Sequence, residues 1–371
     1  MSKKILFFIE SLPYGGKERR LIELLIYLKK NTDYELRLVL IENTIQYSYV
    51  HDLEIQIDVI ERKYFKKDPS FFIRFYRIAK QFNPDIIHTW GRMSTFYSIL
   101  TKLLLRKPLL SNLIASAKKP LGGKLFFNFI IKTNVYFADV ILSNSMAGIK
   151  AYNLYNHPKT HLIYNGVRLE RFDVKEKTST VVKETLNITA NLVVMMVASV
   201  NKNKDYDLFL DVAQLITCSY NNITFIGIGG GSEFERIKSR IHNENIQSTL
   251  LLGMRSDIEK LISIADICLL LTNKQVHAEG ISNSIIEYMA MGKPVITTDS
   301  NGGSDEIIVE GASGYIIEAD ACAIKNKIIE LISKPELRKQ LGSKGKQIID
   351  QKFTIERMGQ DYVDLYNKHF K

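Results

Sequence analysis

Cysteine is scarce: Cys218, Cys268 and Cys322 are the only three in 371 residues. They are far apart, in stretches that read as core or as the start of a helix, so neither a disulfide framework nor a zinc site is expected. Long apolar runs are missing too. A membrane span needs ~18 largely apolar residues in a row, and the nearest approach, Leu125 to Ile131, is interrupted by Asn128 and bounded by Lys124 and Lys132. The opening MSKKILFFIE offers about six apolar residues before Glu10, too few for the core of a secretion signal. A cytoplasmic protein, or one resting on the inner face of a membrane without crossing it, is therefore expected. No helix-turn-helix, zinc or RNP-like signature accompanies the basic residues, which argues against nucleic acid as a partner. Short repeats and low-complexity tracts are absent as well.

What remains is an ordinary globular composition, 46% hydrophobic and 24% charged. The length suits two domains of roughly 170 to 200 residues, and two domains imply a cleft between them. The net charge of +10 is placed unevenly. Residues 1–170 hold 26 Lys plus Arg against 14 Asp plus Glu, whereas residues 171–371 hold 24 against 26. A positive first half points to an anionic partner such as phospholipid headgroups, a polyprenyl diphosphate or a phosphorylated acceptor.

Apolar runs rich in Ile, Val and Leu alternate with helical periods throughout, the pattern of parallel sheets buried on both faces. The first series runs through Ile5 to Ile9, Leu36 to Ile41, Ile57 to Ile60, Ile86 to His88, Leu109 to Ala115 and Val140 to Asn144. The second comprises Leu192 to Ala198, Ile223 to Ile228, Leu250 to Leu252, Ile267 to Leu271, Val295 to Thr297 and Tyr315 to Ile317. Between them the polar stretch Arg168 to Thr189 reads as the domain junction. The fold class is α/β, with two Rossmann-like doubly wound domains facing across a cleft. The expected divisions are 1–168, 169–353, and a final helix over 354–371 that crosses back to the first domain.

Open parallel sheets bind ligands beyond the carboxyl ends of their strands, where loops lead into helix N-termini. The segment Glu279 to Glu287, EGISNSIIE, follows such a strand. Ser282 or Asn283 can cap a helix whose positions Ile285, Ile286 and Met289 face the sheet. The amides near its start suit a diphosphate. Glu279 lies before that helix and Glu287 one turn inside it, so one element holds two carboxylates at different depths. One could accept hydrogens from ribose hydroxyls and the other from a sugar.

Glu279 and Glu287 with seven residues between them, followed by Met289 to Pro294 (MAMGKP), resemble the E-x7-E motif of the GT4 family of retaining glycosyltransferases, whose fold is GT-B. The resemblance covers nearly the whole chain. Pro13 to Glu18 (PYGGKE) is similar to the family's glycine-rich loop, and Pro84 to His88 to its fourth strand. Asn165 to Phe172 (NGVRLERF) resembles the family's NGVDxxRF, and Asn301 to Glu306 (NGGSDE) the segment after the strand that follows the E-x7-E helix. The resemblance implies a hexosyl-type, retaining, metal-independent transferase with no cofactor. Its donor would be a nucleotide-sugar, with a UDP-sugar preferred. Its acceptor would be a saccharide or polyprenyl-diphosphate-linked, in surface polysaccharide or glycolipid assembly.

Carried onto this sequence, the resemblance puts Glu279 near the reacting sugar and Glu287 on the ribose. Gly280, Ile281, Ser282, Asn283 and Ser284 supply amides to sugar and diphosphate, and Gly16 lets the first-domain backbone approach the phosphate. Lys204 falls where the family has its diphosphate-binding lysine and would neutralise charge on the leaving nucleotide, with Lys202 the neighbouring candidate. Two departures stand out. Ser199 occupies a position where the family often has arginine, and Ser116 to Lys118 replaces a usual histidine, for which Lys118 is a stand-in. His88 reads as structural.

Other features read more plainly. Asp205 and Asp207 spell D-x-D, but they open a helix and suit a cap rather than a metal. Gly229 to Gly231 lacks the full dinucleotide fingerprint and reads as a tight turn. Phe71 to Phe82 interleaves aromatics with Arg74, Arg77 and Lys80 after Lys63, Lys66 and Lys67, which fits either a core-packed helix or a membrane-facing one. The alternatives in function are a nucleotide-sugar epimerase or phosphorylase of the same fold, and a non-catalytic nucleotide-sugar-binding subunit.

Overall fold

The structure is a computed structural model that describes residues 2–61, 68–114, 116–117, 125–298 and 302–370. The chain divides into two compact units, Met1–Gly166 together with Ile355–Lys371, and Val167–Thr354. The first division thus falls two residues before the expected one.

The first unit holds a parallel sheet of seven strands: β1 (Lys4–Ile9), β2 (Glu35–Leu40), β3 (Gln56–Val59), β4 (Ile86–Trp90), β5 (Leu109–Ile114), β6 (Val140–Ser143) and β7 (Thr160–Leu162). Their order is β3-β2-β1-β4-β5-β6-β7. Strand β1 shows why its sequence is unbroken in apolar residues. Ile5, Phe7 and Ile9 pack with Leu21, Leu24 and Leu28 of the helix Gly16–Asn31, while Leu6 and Phe8 pack on the other face with Phe71, Phe75 and Tyr97. A strand covered on both sides cannot alternate polar and apolar.

The helix Ile355–Asn367 completes this unit by packing on Gly16–Asn31. A Cβ at Gly359 would overlap the Tyr27 ring, so only glycine permits the approach. Below it lies a buried polar network in which Arg20 donates to the Tyr362 hydroxyl at 2.6 Å and to the Ile163 carbonyl at 3.0 Å. His88 belongs to this network, its Nδ1 2.7 Å from the Tyr366 hydroxyl and its ring against Phe7 and Trp90. Burial holds its pKa down at about 3, so it is a neutral core histidine.

The second unit holds β8 (Leu192–Val197), β9 (Ile223–Ile228), β10 (Thr249–Leu251), β11 (Ile267–Leu270), β12 (Val295–Thr298) and β13 (Gly314–Ile317), all parallel, in the order β10-β9-β8-β11-β12-β13. From β8 the chain first builds outward through β9 and β10, then returns to lay β11 on the opposite edge. The strand order therefore reverses between β8 and β11, the switch point at which such sheets hold ligands.

Two expectations change. Strand β7 lies in a stretch that carries no apolar run. The stretch Arg168 to Thr189, expected as the junction, contains a helix (Glu176–Thr185) inside the second unit, packed on the helix Ile258–Ser263 with Ser179 bonded to Ser263 at 2.9 Å. The helix Ser70–Phe82 turns Phe71, Phe75 and Phe82 into the core, while Phe72 and Tyr76 are half-buried and Ile73 is exposed. Its Arg74 is bound to Asp68 at 2.8 Å, and Lys63, Lys66 and Lys67 lie outside the described residues.

Candidate active site

The two loops that leave the switch point of the second sheet are bonded to each other. The Asp205 amide donates to the Leu271 carbonyl and the Asn273 amide to the Asn203 carbonyl, both at 3.0 Å. This brings Lys204, on the loop after β8, against Glu279, on the loop after β11, as an ion pair. Their side chains are only 11% and 14% exposed, so water screens the pair weakly. His277 Nε2 stands 3.3 Å from the same Glu279 oxygen. Burial works against ionisation of Glu279, but the Lys204 ammonium and His277 outweigh it and hold the carboxyl at about 2, well below the usual range. Lys202, two residues before Lys204, is exposed.

The Glu279 loop is pinned from the next strand as well. The Gly303 amide donates to the Glu279 carbonyl at 2.9 Å, and a Cβ on Gly303 would come within 3.0 Å of the Gly280 carbonyl oxygen. Gly280 and Ile281 are buried, and Ser282 is the N-cap of the helix Asn283–Ala290. Its side chain makes no capping hydrogen bond. The Ser284 hydroxyl instead donates to the Val197 carbonyl at 2.7 Å, tying the helix start to the end of β8. A helix leaves its first amides without carbonyl partners of its own, and this N-terminus begins four residues after Glu279.

Glu287 is one turn further in and 2% exposed. Its Oε1 lies 3.9 Å from Arg171 Nη2, and Arg171 also pairs with Glu259. The structure thus separates the two motif carboxylates, Glu279 with Lys204 and His277, Glu287 with Arg171. Gly16 starts the helix Gly16–Asn31 in the first unit and is exposed; its neighbour Lys17 bonds Glu10 at 2.8 Å. Lys118 lies outside the described residues, and Ser199 is exposed, with its hydroxyl accepting from the Asn201 side chain at 3.0 Å.

Asp205 and Asp207 are both occupied. Asp205 accepts from the Leu208 amide at 3.0 Å as the cap of the helix Tyr206–Thr217. Asp207 takes both guanidinium nitrogens of Arg236, at 2.9 and 2.7 Å, and one of Arg240 at 3.0 Å. The turn Gly229 to Gly231 closes over the loop after β8: Gly229 and Gly231 have φ of +146° and +153°, and a Cβ on either would strike the Ala198 or Val200 carbonyl.

Two participants were not foreseen. His277 had no signal beyond being a histidine near Glu279, whereas Arg171 was visible in the NGVRLERF run although its partner was not.

Comparison with known proteins decides the family. Residues 14–171 match the family described as Glycosyltransferase Family 4, and residues 179–348 that described as Glycosyl transferases group 1. The chain belongs to the GT4 family of glycosyltransferases. It is 24% identical over 327 residues to N-acetyl-alpha-D-glucosaminyl L-malate synthase of Bacillus anthracis, covering 86% of this chain and 83% of that protein. To a Campylobacter jejuni N-acetylgalactosaminyltransferase acting on a diphospho-undecaprenol-linked saccharide it is 24% identical, covering 86% and 87%. Its fold is GT-B. HepE of Anabaena, solved with UDP and glucose, superposes with a TM-score of 0.87 at 19% identity, over 98% of this chain and 99% of that one.

Proposed function

We propose that this GT4 glycosyltransferase moves a sugar from a nucleotide-sugar, a UDP-sugar first among them, to a saccharide or polyprenyl-diphosphate-linked acceptor, with retention of anomeric configuration and without a metal ion. The observation that carries the reading is the weakly screened Lys204–Glu279 pair at the sheet's switch point, next to a helix N-terminus.

Each part has a chemical task in that reaction. As the bond from the anomeric carbon to the diphosphate breaks, negative charge grows on the leaving phosphate. Lys204 and the first amides of the helix Asn283–Ala290 neutralise it, the work a metal does in other transferases. Glu279, held ionised, accepts hydrogen bonds from hydroxyls of the donor sugar. Glu287 accepts from the ribose. Retention follows when the leaving phosphate oxygen takes the proton of the acceptor hydroxyl arriving on the same face, which requires no covalent carboxylate. Glu279, already engaged by Lys204 and His277, suits hydroxyl binding better than attack on carbon.

Support for a uridine donor comes from HepE, which was solved with UDP and UDP-glucose. The Campylobacter relative supports a lipid-linked acceptor in glycan assembly. The test is a panel of UDP-, GDP- and ADP-sugars scored by thermal stabilisation and by slow hydrolysis. Ligand at 100 times its Kd adds about 2.7 kcal/mol to stability. Stabilisation by one base with hydrolysis of its sugar supports the reading, and failure of every donor to bind contradicts it.

A further inference from the structure

We propose that His277 positions Glu279 for transfer, taking hold of its carboxylate when Lys204 leaves that carboxylate for the donor diphosphate. Given the roles proposed above for Lys204 and Glu279, on which this assignment rests, the diphosphate draws the ammonium out of a pair whose side chains are 11% and 14% exposed. Removing one partner from a shielded pair leaves a charge without compensation, a costly state. A second donor beside Glu279 lowers that cost, and His277 is placed to be it. Its Nε2 stands 3.3 Å from Glu279 Oε1, the oxygen that Lys204 holds. Among the described residues, Lys204 and His277 are the basic side chains within ion-pairing distance of that carboxylate. Hydrogen bonds from N–H to oxygen usually span about 2.7–3.2 Å, so the ring has room to close in once the lysine turns away.

The backbone fixes where the ring stands. The His277 amide donates to the Asn273 carbonyl at 2.9 Å, and the Gln275 amide to the Asn273 side chain at 3.1 Å, so residues 273–277 form one tight turn. Asn273 donates its own amide to the carbonyl of Asn203, the residue before Lys204. The turn therefore ties the imidazole to the loop that carries the ammonium, while Gly303 pins the Glu279 backbone separately. No positive charge on the ring is needed, because a neutral imidazole with its proton on Nε2 donates to a carboxylate. Its effect on transfer runs through Glu279.

The test is a double-mutant cycle read by calorimetry with UDP, with a transfer assay on the same proteins. His277→Ala should weaken UDP binding at least about 10-fold, the equilibrium equivalent of one hydrogen bond to a charged group, and should slow transfer. His277→Gln places an amide donor near the position of Nε2 and should recover most of both losses. In the Glu279→Gln background no charge is stranded when Lys204 leaves, so adding His277→Ala should change UDP binding by less than about 2-fold. A residue that merely shapes the loop would weaken UDP equally in both backgrounds, since independent effects add. Equal weakening in both backgrounds, no weakening in His277→Ala, or no recovery in His277→Gln would overturn the assignment. Lys204→Ala separates this from the proposed function. If it weakens UDP binding and His277→Ala does not, the assignment alone falls. If UDP fails to bind the wild type, or binds Lys204→Ala equally well, the role given to Lys204 falls and the assignment with it.

Discussion

Replacing Glu279 by glutamine should tighten the binding of free nucleoside diphosphate while removing transfer. In the resting site Lys204 is held by Glu279, so a diphosphate that recruits the ammonium must first open that pair. Both side chains are mostly shielded from water, and a hydrogen bond between charged groups contributes about 1.5–3 kcal/mol net. Glutamine keeps the shape and a neutral acceptor worth about 1 kcal/mol, so the competition falls by about 1–2 kcal/mol. That corresponds to roughly 5- to 30-fold tighter binding. Free nucleoside diphosphate carries no sugar and loses no contact in return. The intact donor does lose a contact, and transfer should fall at least about 100-fold because the missing charge acts near the reacting centre. Titration calorimetry with UDP and a transfer assay on the same preparation read both effects. UDP binding that is unchanged or weaker in Glu279→Gln would refute the idea that Glu279 competes with the diphosphate for Lys204.

Lys204→Ala should weaken nucleoside diphosphate binding about 10- to 100-fold, the loss of one charge-assisted contact to phosphate, and Lys202→Ala about 3-fold or less; calorimetry that reverses this order would reassign the lysine. Transfer should persist in excess chelator, because both carboxylates of the D-x-D are engaged by protein groups; loss with EDTA and recovery with Mg2+ or Mn2+ would contradict this. The Glu279 carboxyl sits at about 2 in the folded chain against an ordinary 4.5, so its contribution to stability is present above about pH 4.5 and is lost as pH falls towards 2. The contribution is at most about 3 kcal/mol. Urea midpoints at pH 6 and pH 3.5 should therefore fall more for the wild type than for Glu279→Gln, and equal falls would refute the depressed pKa.

Among the described residues, twelve of the thirteen strands were legible because sheets covered on both faces require continuous apolar runs, as Ile5 to Ile9 shows. Strand β7 was not, since Thr160, His161 and Leu162 lie at the sheet's edge, half-exposed, and carry neither a run nor an alternation. The helix Ser70–Phe82 was legible as a helix, but which face its phenylalanines would turn inward depended on the sheet beneath it. At the site, the spacing of Glu279 and Glu287 on one element was plain, yet their separate surroundings were not. Those depend on Lys204 and Arg171, which reach their partners only through the order of the strands. The close passage of Gly229 and Gly231 over Ala198 and Val200 is equally a product of packing. Three glycines in a row announce a turn without saying what it covers.

The measurement that bears most directly on retaining transfer is the anomeric configuration of the first product, followed by proton NMR from a donor of known α-configuration in the presence of chelator. Accumulation of an α-linked product from the α-donor is the predicted result. A β-linked first product, or transfer that stops when metal is removed, would contradict it.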